Sequence, residues 1–211
     1  MTIRYPNGTP SNNYSPQKPT KKQGQTFQGN PTIFGNRGMT LEDAINESNA
    51  YYLEHGLGVI HKKPTPIQIV KVDYPKRSAA VIKEAYFTKA STTDYNGVFL
   101  GRYLDFEAKE TKNKTSFPLN NFHEHQIKHF KACLKQGGIC FVILYFSTLG
   151  RYFVFPGTAL IQSFDTQVTG KKSIPLKEII TTGWEIKEGF APRLPYLTVI
   201  EKIIQEEKEN G

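Results

Sequence analysis

The strongest apolar signal in the chain is the uninterrupted run Ile139 to Phe146, bounded by Gly137-Gly138 and Ser147. A run this short between turn residues predicts a strand buried on both faces. The segment before it, from about Asn121 to Gly137-Gly138, predicts a helix, so helix and strand together suggest a crossover unit. Arg151 to Phe155 reads as a further short strand. Near the start of the ordered pattern, Thr40 is placed to N-cap a helix that turns Leu41, Ala44, Ile45 and Tyr52 inward and stops at Gly56 and Gly58. Ile67 to Val72 alternates as a strand does. Ala79 to Phe87 fits a strand or a short helix. Leu197, Ile200, Ile203 and Ile204 recur at helical spacing and predict a terminal amphipathic helix. No internal repeat is visible.

Two strands, Val98 to Leu100 and Tyr103 to Lys109, flank Gly101-Arg102, with glycine where a type II′ hairpin wants it. In that register Asn96 lies opposite Glu107 and Asp94 opposite Lys109, and all four share one face. Leu104, Phe106 and Ala108 take the other. Asp94 and Glu107 become diagonal neighbours. Two carboxylates this close repel unless a cation lies between them, and hard oxygen ligands without Cys or His favour magnesium or manganese. Lys109 points the same way and is suited to stabilise charge on a phosphate. The alternative is a solvated face with an Asp94 to Lys109 ion pair. Asp105 is a rival ligand, ranked lower because this register sets it opposite Val98. On the following helix Gln126 lies among Phe122, Phe130 and Cys133, so its amide either bonds to backbone in the core or orients a metal ligand or water. His123 and His125 are two apart and diverge on a helix, which places them at the surface or in support of the site.

The chain has 211 residues and 23.9 kDa, enough for one domain with a tail. Cys133 and Cys140 alone form neither a disulfide framework nor a four-ligand zinc site. The longest apolar run falls well short of the roughly 20 residues of a spanning helix, and the first residues lack the apolar stretch of a signal peptide. A cytoplasmic protein with no membrane partner is expected. The net charge of +8 is unevenly distributed. Residues 1–40 hold no acid but contain Arg4, Lys18, Lys21, Lys22 and Arg37, which predicts a flexible basic arm. A second excess spans His61 to Ala90. A polyanion suits both segments, because neutralised phosphates release counterions; a merely soluble basic surface explains the charge equally well.

The strings Thr92-Thr93-Asp94-Tyr95-Asn96-Gly97 and Asp105-Phe106-Glu107-Ala108-Lys109-Glu110-Thr111, followed by His125-Gln126 before Gly-Gly and an apolar strand, resemble the RecU family of Holliday-junction resolvases. The likeness runs from about Thr32 to the last helix. It implies an α/β, restriction-endonuclease-like fold, with a mixed central sheet flanked by helices and a D…(D/E)xK site. Thr93 replaces the proline usual before the aspartate in that wider superfamily. The resemblance further implies a flexible basic arm over 1–36 and a nuclease domain over 37–211, with a projecting basic stalk from about 62 to 90. By the same resemblance Thr92, Asp94, Glu107 and Gln126 hold or support Mg2+, for which Mn2+ substitutes, and Lys109 stabilises the transition state. Arg37, Lys62, Lys76 and Arg77 would meet phosphates, while Tyr86 or Phe87 stack on an exposed base pair. Phe87 has a slightly favoured alternative in core packing at the stalk base. The expected activity is resolution of four-way junction DNA by symmetric paired nicks, carried out by a homodimer in recombination and repair. Expected partners are a recombinase and a branch-migration motor. An architectural junction binder and a duplex-cutting nuclease of the same fold are the competing readings.

Overall fold

The computed structural model describes residues 39–76, 80–88, 92–167 and 170–209. The expected arm over 1–36, together with Arg37 and Arg77, lies outside the described residues. One compact unit holds Ile67–Tyr86, and another holds the remaining described residues.

Helix α1 (Leu41–Glu54) begins where the sequence places it. Thr40 accepts a hydrogen bond from the Asp43 N–H at 3.1 Å, and the Asp43 carboxylate accepts from the Thr40 N–H at 3.1 Å, a reciprocal cap. The chain then runs through β1 (Val59–Lys62), β2 (Ile67–Asp73), β3 (Val81–Phe87), β4 (Tyr95–Phe99), β5 (Arg102–Thr111) and β6 (Ser116–Pro118). A 3-10 turn at Leu119–Asn121 precedes α2 (Glu124–Lys135), so this helix starts later than the sequence suggests. Next come β7 (Ile139–Phe146), β8 (Arg151–Pro156), α3 (Gly157–Thr166), β9 (Ser173–Pro175), α4 (Leu176–Thr182), β10 (Trp184–Ile186) and α5 (Leu197–Glu209).

Six strands form the central sheet in the order β1-β4-β5-β7-β8-β10. β5 and β7 pair in parallel through the α2 crossover, and the other neighbours are antiparallel. The mixed sheet flanked by helices agrees with the fold that the resemblance implies. Because both faces are covered, β7 is apolar at almost every position. Phe141 and Ile143 enter a core with Ile45, Phe106, Tyr196 and Ile200, while Val142 and Leu144 enter a second core with Phe130, Phe155 and Leu160. No described helix is long and apolar enough to cross a membrane.

The β4–β5 hairpin departs from the expected register. Leu100 and Gly101 have φ of 48° and 75°, so they are the two central turn residues, and Phe99 pairs with Arg102. Positive φ at both positions matches the twist of the flanking strands, and glycine at the second satisfies a type I′ turn. Each partner therefore moves two residues along, which leaves every side chain on its expected face. Asn96 pairs with Asp105 rather than with Glu107. One step beyond Tyr95–Phe106, the last ladder pair, the same register brings Asp94 level with Glu107.

β2 and β3 form a two-stranded sheet of their own. This settles Val81–Phe87 as a strand. The charge and apolar residues of the two strands are almost wholly exposed, with Ile67, Ile69, Val70, Val81 and Ile82 all open to solvent. Phe87 is 84% exposed, so the core-packing alternative for it is corrected: at the end of a strand exposed at every position, its ring stays open to solvent.

At Gly97 an added Cβ would meet the Val59 carbonyl oxygen at 2.2 Å and the Ile60 Cα at 2.7 Å. Only glycine lets β1 pair this closely with β4. We expect Gly97→Ala to destabilise the domain by about 1–3 kcal/mol, read as a lowered urea midpoint with an unchanged slope.

Candidate active site

The face of β5 that carries Tyr103, Asp105, Glu107 and Lys109 packs toward α2. Glu107 is completely buried there. Its Oε1 accepts a hydrogen bond from Gln126 Nε2 at 2.6 Å, and Gln126 Oε1 in turn accepts from the His123 N–H at 2.9 Å. The amide thus closes the first turn of α2 and fixes one carboxylate oxygen. The amide fills both roles left open by the sequence: its oxygen bonds to backbone at the helix N-terminus, and its nitrogen orients a carboxylate. Phe122 is buried nearby but precedes the helix, so its place on the helical wheel beside Gln126 does not hold.

Lys109 Nζ lies 2.8 Å from Glu107 Oε2 and 3.8 Å from Asp94 Oδ2. The close Lys109 contact is an ion pair without hydrogen-bond alignment, and Oε2 accepts no hydrogen bond. Burial, reinforced by the Asp94 carboxylate, pushes the Glu107 pKa up to about 8, even though the Lys109 charge opposes the shift. The side chain of Asp94 is 42% exposed, at the open end of this row.

Thr92 is exposed just before Asp94. Thr92, Thr93 and Asp94 border a cleft of about 490 Å³ whose other walls include Lys62, Lys63, Ala108 and Glu110. Ala108 and Glu110 alternate with Glu107 and Lys109, so the cleft meets the carboxylate row only through Asp94. The structure therefore brings Asp94, Glu107, Lys109 and Gln126 together and leaves Thr92 at their edge. Lys62 ends β1 and pairs with Glu42. Lys76 and Tyr86 are exposed, and the Tyr86 hydroxyl donates to Glu84 at 2.6 Å.

Asp105, ranked low from sequence, is the centre of a second cluster. It is also fully buried, but its oxygens are saturated. Oδ2 accepts from Lys63 Nζ at 2.8 Å and Tyr103 Oη at 2.7 Å and lies 3.1 Å from His129 Nε2, while Oδ1 accepts from the Thr93 hydroxyl. Burial alone raises its pKa, but these donors outweigh burial and hold it below the ordinary carboxylate value. Asp105, His129 and Cys133 place an oxygen, a nitrogen and a sulfur within 4.8 Å of one another. A cation among them would have to displace donors that already include an ammonium group, so the cluster suits a structural fastener better than a metal site. Part of this was legible: Asp105 has the parity of Glu107, and His129 follows Gln126 by one helical turn. Lys63 comes from a distant strand end and carried no local signal.

The family described as Recombination protein U matches residues 36–202. The chain belongs to the RecU family. Proteins named Holliday junction resolvase RecU are 60% identical over 207 residues in Lactiplantibacillus plantarum, covering 98% of each chain, and 58% identical over 205 residues in Latilactobacillus sakei, covering 97% of each. The relative from Geobacillus is 57% identical over 204 residues, covering 96% of this chain and 98% of its own. The RecU match embraces every described residue of both clusters.

Titration offers a check on the Glu107 environment. Between its ordinary value of 4.5 and about 8, the folded chain keeps a proton that the unfolded chain has lost, so stability falls as pH rises. Asp105 acts oppositely, and only as pH drops toward and below 3.8. With chelator present, the thermal midpoint should decline from about pH 5 to about pH 8, and Glu107→Gln should remove most of that slope.

Proposed function

We propose that this chain is a divalent-cation-dependent endonuclease that resolves four-way DNA junctions, with Asp94, Glu107 and Lys109 at the reacting site. The observation that carries this reading is the fully buried Glu107 carboxylate, whose Oε2 faces the Lys109 ammonium, at the same level of the hairpin as Asp94. Two carboxylates this close repel, and the one Lys109 ammonium they share leaves a negative charge that a divalent cation would balance. The donor set is hard oxygen, which fits Mg2+, with Mn2+ as a substitute. Asp94 and Glu107 would hold the ion, and Thr92 and Gln126 would complete or support its surroundings. When bound, the ion supplies activation of the attacking water and neutralisation of charge on the phosphodiester.

The chain's own groups prepare that chemistry. Gln126 holds Oε1 of Glu107 and leaves Oε2 against the Lys109 ammonium. Lys109 keeps its ammonium beside both carboxylates, where it can meet the negative charge that develops on the phosphate. Symmetric paired nicks call for two such sites, which a twofold homodimer supplies.

For the junction itself, the exposed β2–β3 sheet offers Tyr86, with Phe87 at its end, and exposed Lys76 follows β2; Arg77, next in the sequence, is a further phosphate contact in this reading. Its uncovered aliphatic residues are unusual for a sheet without a partner, and stacking on an open junction centre would cover aromatic surface. Lys62 and Arg37 are further phosphate contacts in this reading. Resolution in recombination and repair places the protein in the cytoplasm, beside a recombinase and a branch-migration motor.

The test is strand-resolved cleavage of a labelled four-way junction and a matched linear duplex, with and without Mg2+. We expect Mg2+-dependent symmetric nicks on the junction, lost in Glu107→Ala while junction binding survives. Lys109→Met should lower the cleavage rate by about 10²- to 10³-fold. Binding without cutting by the wild type would leave an architectural protein, and equal cutting of duplex would leave a general nuclease.

A further inference from the structure

The carboxylate row depends on the position of Asp94, yet Asp94 lies outside the sheet ladders. The last pairs on its two sides are Lys62–Tyr95 and Tyr95–Phe106, and Asp94 precedes them both. Its side-chain ion pair with Lys109 is long, at 3.8 Å, and half open to solvent. Something else has to fix the backbone here.

Lys63 makes two contacts with this segment and a third with β5. Its N–H donates to the Asp94 carbonyl at 2.7 Å. Its Nζ donates to the Thr93 hydroxyl at 2.8 Å and to Asp105 Oδ2 at 2.8 Å, and the Thr93 hydroxyl itself donates to Asp105 Oδ1. The Lys63 side chain is only 16% exposed and that of Asp105 is fully buried, so these charge-assisted bonds are shielded from solvent. Lys63, Thr93 and Asp105 form a closed triangle of donors and acceptors immediately behind Asp94.

We propose that Lys63 and Thr93 are positioning residues, which lock the Thr93–Asp94 backbone onto Asp105 and so hold the Asp94 carboxylate level with Glu107. This rests on the reading that Asp94 and Glu107 bind the divalent ion. Neither Lys63 nor Thr93 touches the ion or the phosphodiester. They act through Asp94, as outer partners of a metal ligand act on affinity by restricting its orientation.

The experiment uses the full-length protein and Mn2+ as the probe, titrated by electron paramagnetic resonance, beside Mg2+-dependent junction cleavage and metal-free junction binding. Thr93→Val keeps the shape of the side chain and removes the hydroxyl, Thr93→Ser restores the hydroxyl, and Lys63→Met removes the ammonium. We expect Thr93→Val and Lys63→Met to weaken Mn2+ binding by about tenfold to a hundredfold with folding and junction binding retained. Thr93→Ser should stay within about twofold of wild type, a rescue that loss of packing would not give. If Lys63→Met fails to fold, the Thr93 pair decides. Wild-type Mn2+ affinity in Thr93→Val, or equal loss in Thr93→Val and Thr93→Ser, overturns the proposal. Mn2+ binding by wild type that Glu107→Ala leaves untouched overturns the underlying metal-site reading instead.

Discussion

Asp105 and Glu107 stand two residues apart on one face of β5, both removed from water, and their surroundings treat them in opposite ways. Asp105 is met by Lys63, Thr93, Tyr103 and His129, and its charge is stabilised. Glu107 has one neutral donor on Oε1 and a nearby ammonium that is not aligned to bond with Oε2. Burying an ionised carboxylate costs several kcal/mol unless it is paired. The first therefore acts as a fastener between elements, while the second shares a single ammonium with Asp94, so the two carboxylates keep one negative charge beyond what Lys109 offsets. The remainder of the site is arranged around that contrast.

The contrast is possible because of how α2 crosses the sheet. As the connection between parallel strands β5 and β7, it runs back along β5, and its Gln126 and His129 meet Glu107 and Asp105 in reversed order. Residues three apart on a helix are separated by about 4.5 Å along the axis, and residues two apart on a strand by about 6.6 Å. Those spacings are similar enough for two side chains of different length to reach two successive carboxylates. Phe130 and Ile127, on the same helix, anchor it to the second core, so the orientation of both polar residues is set by apolar packing. The chemistry of the face is thus specified by ordinary crossover geometry together with two polar substitutions in an otherwise apolar contact.

Much of this was legible because it is local. Strand parity alone separates Glu107 and Lys109 from Phe106 and Ala108, and it survives the hairpin's change of register because the displacement is even. Thr40 announces α1, the Gly-Gly pair ends α2, and the apolar length of β7 reports burial on both faces. The choice of turn was less legible, since Gly101 satisfies either a type II′ turn as its first central residue or a type I′ turn as its second. The structure takes the latter at the expense of a left-handed Leu100, and gains the stacked Tyr95–Phe106 pair, with ring centroids 4.8 Å apart. A local glycine signal cannot weigh that long-range contact.

Lys63 marks the limit of sequence reading most clearly. Its neighbours in the chain suggest only a basic stretch, and a lysine among lysines reads as solvated surface. What distinguishes it from Lys62 is the alternation of β1, whose last residue turns its side chain outward to Glu42, so that the next points behind Asp94. The same parity that exposes one ammonium buries the other against a fully buried carboxylate. Adjacent, chemically identical residues therefore belong to different parts of the protein's physics: Lys62 can exchange its surface partner for another anion, whereas Lys63 cannot leave without taking the one ammonium from buried Asp105, which then keeps Thr93, Tyr103 and His129.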